Sequence, residues 1–316
     1  MEQQQIQTLY DQALESFVEK AKKDPNIIAV IVYGSAAFRD AWQGSDIDIF
    51  VVAKDNKLKG ESYSIDENGI IINIDAGSRT ALKRWLEKDG GGSFGHSLMY
   101  KAKIIYTTDD DLYDYIEENK QLGEYDIEKN MFFLAGWVLS GMHKVRKWVE
   151  VKNDLTYARL YILKTVESIA RMEMLAHKKI PTREAIIEVT PLNPELMERF
   201  YKKPINGELT KEEIYQLIDE AHEYVDRYLD TVLSVALECI GYNKPCSVTY
   251  ISKYFGAWSH DITEIFEYLW KKGHIEKQTQ TIRIMPKGKL LYEEIVYVCF
   301  SEELRVKSEE LKNLKG

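Results

Sequence analysis

The sequence predicts an α+β chain in three parts: a small mixed-sheet domain over residues 1–120, a helical bundle over 121–241 and a third, mixed domain over 242–316. Three observations lead there. Short β-branched runs alternate with amphipathic stretches in the first third, apolar residues recur at helical spacing through the middle, and near the end two short helical segments precede strand-like runs. With 316 residues and 45% hydrophobic content, the chain is long enough for two or three cores.

Gln5 to Lys23 reads as an amphipathic helix through Ile6, Leu9, Tyr10, Leu14, Phe17 and Val18, shaped to cover a sheet. Ile27 to Tyr33 is too short and too β-branched for a typical helix, and Gly34-Ser35 ends it, so it reads as a buried strand and a tight turn. A short helix over about Ala36 to Trp42 would follow. In Asp46-Ile-Asp-Ile-Phe-Val51 the aspartates alternate with isoleucines, so the period of a strand projects Asp46 and Asp48 from one face while Ile47 and Ile49 enter the core. Gly69 to Ser78 contains another apolar strand, on which Asn73 and Asp75 share a face, and a helix is expected from Ser78 to Glu87. The glycine-rich loop Asp89 to Ser97 reads either as a substrate gate or as a plain turn. Lys101 to Tyr106 is a further strand, and Asp109-Asp-Asp111 reads as the cap and first turn of a helix to Glu118.

The chemistry lies between Gly34 and Asp75. Gly34 and the Ser35 hydroxyl, with the N–H groups of the helix after them, offer donors to an anion, and Arg39 could add a positive charge. Gly44-Ser45 leads directly into Asp46. Two carboxylates about 6–7 Å apart along one strand face can hold hard cations. Mg²⁺ takes one or two carboxylates plus phosphate oxygens and water, which suits in-line phosphoryl or nucleotidyl transfer.

Gly34, Ser35, Asp46 and Asp48, in this order and spacing, resemble the nucleotidyltransferase superfamily that includes DNA polymerase β. The likeness is closest to the antibiotic nucleotidyltransferases of the kanamycin and lincosamide type, and it covers about residues 25–80. It implies a triphosphate held by Gly34 and Ser35, with ATP the expected donor; Ser45 and Arg39 are added as nucleotide-binding candidates from their place around the turn, Arg39 reading equally as an exposed surface residue. It also implies two Mg²⁺ ions held by Asp46, Asp48 and a third carboxylate on a neighbouring strand. Asp75 is chosen for that third place because it is charged, with Asn73 the alternative register. The activity expected is transfer of AMP to a hydroxyl of a small, aminoglycoside-like acceptor.

From about Asp126 to Ile240 the pattern is helical, with one long apolar face through Phe132, Val138, Met142, Val145 and Trp148, and two more over Tyr157–His177 and Lys211–Leu237. The resemblance implies that such a domain closes the cleft and supplies a catalytic glutamate, often across a homodimer. The corresponding stretch, Gly136 to Gly141, has no acid, so either the base comes from elsewhere, with Glu167 the candidate although it also reads as a solvated face residue, or the acceptor differs. Arg171 and His177 resemble the Arg-His pair of HEPN ribonuclease domains, although a basic helix end beside Lys178 and Lys179 explains them as well.

Ser247–Phe255, a Gly256 turn, a helix from Ser259 to Lys272, a hairpin and a helix from Lys287 to Val298 together resemble a winged-helix domain. Residues 243–300 hold eight basic side chains against six acidic ones, and three of those acids lie on the would-be recognition helix. That opposes DNA contact and favours packing or dimerisation. The net charge of −9 likewise opposes nucleic acid and suits a cationic small acceptor. No apolar run of about twenty residues and no signal-peptide pattern occur, so a cytoplasmic protein is expected without membrane contact. Cys239, Cys246 and Cys299 lack C-x-x-C spacing and read as reduced packing residues. A nucleotide-sensing DNA-binding regulator and a catalytically idle, antitoxin-like module are the readings from other classes.

Overall fold

The computed structural model describes residues 3–34, 42, 44–54, 60–87, 94–240, 244–256, 259–285 and 287–299. These form two compact units, residues 1–126 with 178–183, and residues 127–177 with 184–316.

The first unit is built on a five-stranded sheet. Helix α1 (Gln3–Ala21) precedes β1 (Ile27–Tyr33), β2 (Ile47–Ala53), β3 (Glu61–Glu67) and β4 (Ile70–Ser78). Helices α2 (Arg79–Glu87) and α3 (Phe94–Tyr100), β5 (Lys103–Thr107) and α4 (Asp111–Glu118) complete it. The strand order is β3-β4-β2-β1-β5, with β2 and β4 parallel and the other pairs antiparallel, which makes the mixed sheet expected from the sequence.

Alternation along the strands sorts the two faces. Val30, Val32, Ile47, Ile49, Val51, Ile72 and Ile74 pack with Ile6, Tyr10 and Ala13 of α1. Ala29, Ile31, Tyr33, Phe50 and Val52 pack on the other face with Leu82 and Leu86 of α2 and Leu112 and Ile116 of α4. Glu67, 4% exposed, accepts from Lys20 Nζ at 2.7 Å and from Ser16 Oγ at 2.6 Å, which locks α1 to β3. The sheet strand continues through Ser78, so α2 begins one residue later than expected, and the Ser78 hydroxyl accepts from Ala81 N.

In the second unit, α5 (Glu124–Glu150) and α6 (Leu155–Ala176) cross closely at Gly141, where an added Cβ would stand 2.2 Å from Thr165 Oγ1. A glutamate at this crossing would not fit. The long helix expected over Lys211–Leu237 is two helices, Lys211–Asp226 and Leu229–Ile240, broken at Arg227-Tyr228. Helices Val248–Phe255 and Ser259–Lys271 follow, the first capped by Ser247 and ended by Gly256 at a φ of 63°. The second is turned onto the helical bundle. Tyr268 donates to Asp226 at 2.7 Å, Lys272 to Asp226 at 2.6 Å, and His143 faces Glu264 at 3.6 Å.

The helix expected from Lys287 to Val298 is instead a strand. β6 (Cys246–Ser247), β7 (Glu276–Ile282) and β8 (Tyr292–Val298) form a sheet in the order β6-β8-β7. The β-branched and aromatic run Ile295-Val-Tyr-Val298 pairs with β7 and buries Val296, Tyr297 and Val298. Cys239, Cys246 and Cys299 are all buried, and burial pushes Cys239 up to about 12. Among the described residues, no helix is long and apolar enough to cross a membrane.

Candidate active site

The polar residues of the first unit collect at one end of the face that α2 and α4 cover. Tyr33 on β1 lies opposite Asp48 on β2, Asp48 opposite Asn73 on β4, and Asn73 opposite Ser64 on β3. One step along, Phe50, Asp75 and Ser62 form a second row. Alternate positions on a strand share a face, so both rows project the same way.

Asp46 and Asp48 converge on one atom. Asn73 Nδ2 donates to Asp46 Oδ2 at 2.5 Å and reaches Asp48 Oδ1 at 3.4 Å. Asp46 is exposed and Asp48 half-buried, so the pair opens to solvent. Burial pushes the Asp48 carboxyl above its usual range; the Asn73 bond opposes this, and the like charges of Asp46 and Asp75 add to it. Arg183 pulls the other way, and sequence reasoning missed it. It ends the segment 178–183, which leaves the helical region to join this unit, with Ile180, Pro181 and Thr182 buried. No motif marks it.

Gly34 owes its place to Asp48. Its φ is 67°, and an added Cβ would lie 2.8 Å from Asp48 Oδ2, so any side chain there is strained and strikes the acid. Ser35 and Arg39, with the helix expected over 36–42 and the glycines of 89–92, lie outside the described residues, apart from Trp42. The Ser45 hydroxyl accepts from Trp42 N at 3.1 Å and closes the turn before Asp46. Tyr10 of α1 staples the same turn by donating to Ser45 O and, at 3.0 Å, to Trp42 O. Its role was not legible because the helix period marks it only as core.

Asp75 stands apart from the Asp46–Asp48 convergence. One of its oxygens accepts from Tyr33 OH at 2.9 Å and the other from Ser62 Oγ at 2.6 Å, so both are engaged within the sheet. Burial, followed by the Asp75 bond, raises the Tyr33 hydroxyl pKa and keeps it a donor. Asp75 borders a cavity of about 800 Å³ that Phe50, Ser62, Thr80, Arg84 and Trp85 also line. Trp85 packs against Tyr33 and Phe50, with ring centroids 5.5 and 5.9 Å away.

Residues 15–111 match the family model described as polymerase beta, nucleotidyltransferase. Over those residues the first unit is similar to a polymerase beta-type nucleotidyltransferase domain. The match brackets Gly34, Asp46, Asp48 and Asp75, and it ends at the start of α4. Among solved structures, the chain is similar to a nucleotidyltransferase-like protein from Exiguobacterium sibiricum 255-15, with a TM-score of 0.63 and 14% identity over 93% of this chain and 100% of that one. That likeness is one of fold, and it extends beyond the residues that the family model matches. No curated protein matches the chain.

The donor set suits a hard cation. Two carboxylates that reach a single atom already mark out a point between them, and both offer oxygen. Among the described residues, no group of three or more His, Cys, Asp or Glu side chains could hold a metal unaided.

Other sequence candidates are engaged elsewhere in the second unit. Glu167 is exposed and pairs with Arg171 at 3.5 Å, one turn along α6. His177 pairs with Glu173 at 3.3 Å. Both contacts are local to their helix.

Proposed function

We propose that this protein transfers a nucleoside monophosphate, AMP from ATP as first choice, to a hydroxyl of a small acceptor and releases pyrophosphate. The observation that carries this reading is the convergence of Asp46 and Asp48 beside the Gly34 turn. Bound Mg²⁺ would supply charge neutralisation on the phosphates and alignment of the displacement. Asp46 and Asp48 would hold it, while Gly34 would leave room for both Asp48 and the triphosphate. Ser35 and Arg39 are assigned to the phosphates and Ser45 to the turn that presents them.

In-line transfer needs the acceptor opposite the leaving group. The cavity beside Asp75 has the volume of a small-molecule site, with an aromatic wall of Trp85 and Phe50 and polar groups from Ser62, Thr80 and Arg84. An acceptor there would direct its hydroxyl oxygen at the α-phosphorus. As that bond forms, the bond to the bridging oxygen breaks, pyrophosphate leaves with the electron pair, and the hydroxyl proton passes to Asp75. The acidic surroundings favour an acceptor bearing amines, so aminoglycoside-like polyols head the candidates.

The test is incubation of the purified protein with Mg²⁺, each nucleoside triphosphate and pooled hydroxylated antibiotics. Mass spectrometry should detect an acceptor heavier by one nucleoside monophosphate, and pyrophosphate release should vanish in Asp48→Asn. Undiminished release by a folded Asp48→Asn protein would overturn the mechanism.

A further inference from the structure

Asn73 lies opposite Asp48 and meets both acids of the pair. Its amide nitrogen donates to Asp46 and Asp48, while its carbonyl oxygen accepts from Ser64 Oγ at 2.8 Å. The positive end of an amide dipole thus lies between two carboxylates. The opposite end of the same group is a neutral oxygen of the kind that hard cations accept. Half a turn about the last side-chain bond exchanges the two ends. Ser64 allows this, because a hydroxyl both donates and accepts: it donates to the Asn73 oxygen now and would accept from the nitrogen afterwards. Parallel register keeps Asn73 directly opposite Asp48 throughout.

We propose that Asn73 is a reversible metal ligand, its NH₂ bridging Asp46 and Asp48 without a cation and its carbonyl oxygen joining them when a divalent cation binds. The proposal rests on the reading of Asp46 and Asp48 as the metal pair. It has a consequence for order of binding. A bare cation must break both amide bonds and gains only a neutral ligand, so it binds weakly alone and enters with the triphosphate, whose oxygens supply the missing charge.

Mn²⁺ binding to the full chain, followed by electron paramagnetic resonance, tests this with MnCl₂ alone and with MnCl₂ plus ATP. Asn73→Asp should bind bare Mn²⁺ at least about tenfold more tightly than wild type, since it adds charge and removes the competing donor. It should also melt lower in EDTA and recover with Mn²⁺, because three carboxylates then face one another. Affinity within twofold of wild type overturns the proposal. A second measurement needs no variant: the side-chain amide resonances of Asn73, assigned by ¹⁵N labelling, should move when Mg²⁺ and ATP saturate the site. An unmoved amide pair also overturns it. Asp48→Asn separates the two levels of inference. If it leaves Mn²⁺–ATP binding intact, the metal pair itself is wrong; if it abolishes that binding while Asn73→Asp behaves as wild type, only the role of Asn73 falls.

Discussion

Asp75 and Glu173 are carboxylates held by the same kinds of partner in two different surroundings. Tyr33 donates to Asp75 at 2.9 Å and Tyr224 donates to Glu173 at 2.6 Å, and each acid has a second polar side chain on its other oxygen, Ser62 in one case and Asn193 in the other. Glu173 is only 7% exposed inside the helical unit, whereas Asp75 is half-buried at the rim of a cavity. Burial opposes the charge of Glu173, but the bonds from Tyr224, Asn193 and His177 outweigh it and hold its pKa low. On the sheet the balance is reversed at Asp48, where burial and neighbouring acids win and the pKa is high. The sealed cluster is therefore satisfied by its own chain. Among the described residues, burial and like charges outweigh Arg183 at the open one, which is the condition for recruiting a ligand.

The sharpest way to break this contrast is to remove one charge from each cluster. Asp48→Asn should lower pyrophosphate release by about 10³-fold or more, on the scale of losing a group that stabilises the transition state. Its melting temperature should hold or rise, because the folded state disfavours that charge. Glu173→Ala should do the reverse. It strands the Tyr224 hydroxyl and the Asn193 amide in the interior and should cost about 3 kcal/mol in urea unfolding. Under conditions where the variant stays folded, activity should be kept. A stable Glu173→Ala protein would show that the two clusters do not differ as argued.

Packing sets the next level of effect. Gly141→Ala places a methyl against Thr165 across the α5–α6 crossing and should destabilise by about 1–3 kcal/mol, with no change in kcat. Gly34→Ala imposes a comparable strain, but its added carbon meets Asp48 Oδ2, so it should also weaken metal–nucleotide binding. Measuring stability and nucleotide affinity on both variants tells a structural glycine from a site glycine.

What could be read from residues alone follows from the range of the forces involved. Alternation on β2 is local, so the shared face of Asp46 and Asp48 was legible, as was the mixed sheet. The choice between Asn73 and Asp75 was not, because both lie on one face of β4 and only the register with β2 sets Asn73 opposite Asp48. Arg183 reaches the sheet by a tertiary path, and Tyr10 acts through a hydroxyl that hydrophobic periodicity ignores. The run Lys287–Val298 carries Leu and Glu at spacings that suit a helix, and pairing with β7 overrode them.

The smallest expected effect is on acid stability, and its sign separates the two clusters again. A carboxyl whose folded pKa lies below its ordinary value of 4.5, as for Glu173, stabilises the fold above that pH and loses the contribution as pH falls through the folded value. Asp48 works in the opposite sense: with its folded pKa raised, its charge weighs against the fold at neutral pH, and that penalty is relieved as pH drops through the raised value. Urea titrations between pH 7 and 3 should therefore show the wild type and Glu173→Gln converging in stability toward acid. The wild type and Asp48→Asn should also converge, but with the variant the more stable of the two at neutral pH. If Glu173→Gln kept a constant offset at every pH, its loss would come from altered packing, and the bonds from Tyr224 and Asn193 would no longer account for the charge that the interior tolerates.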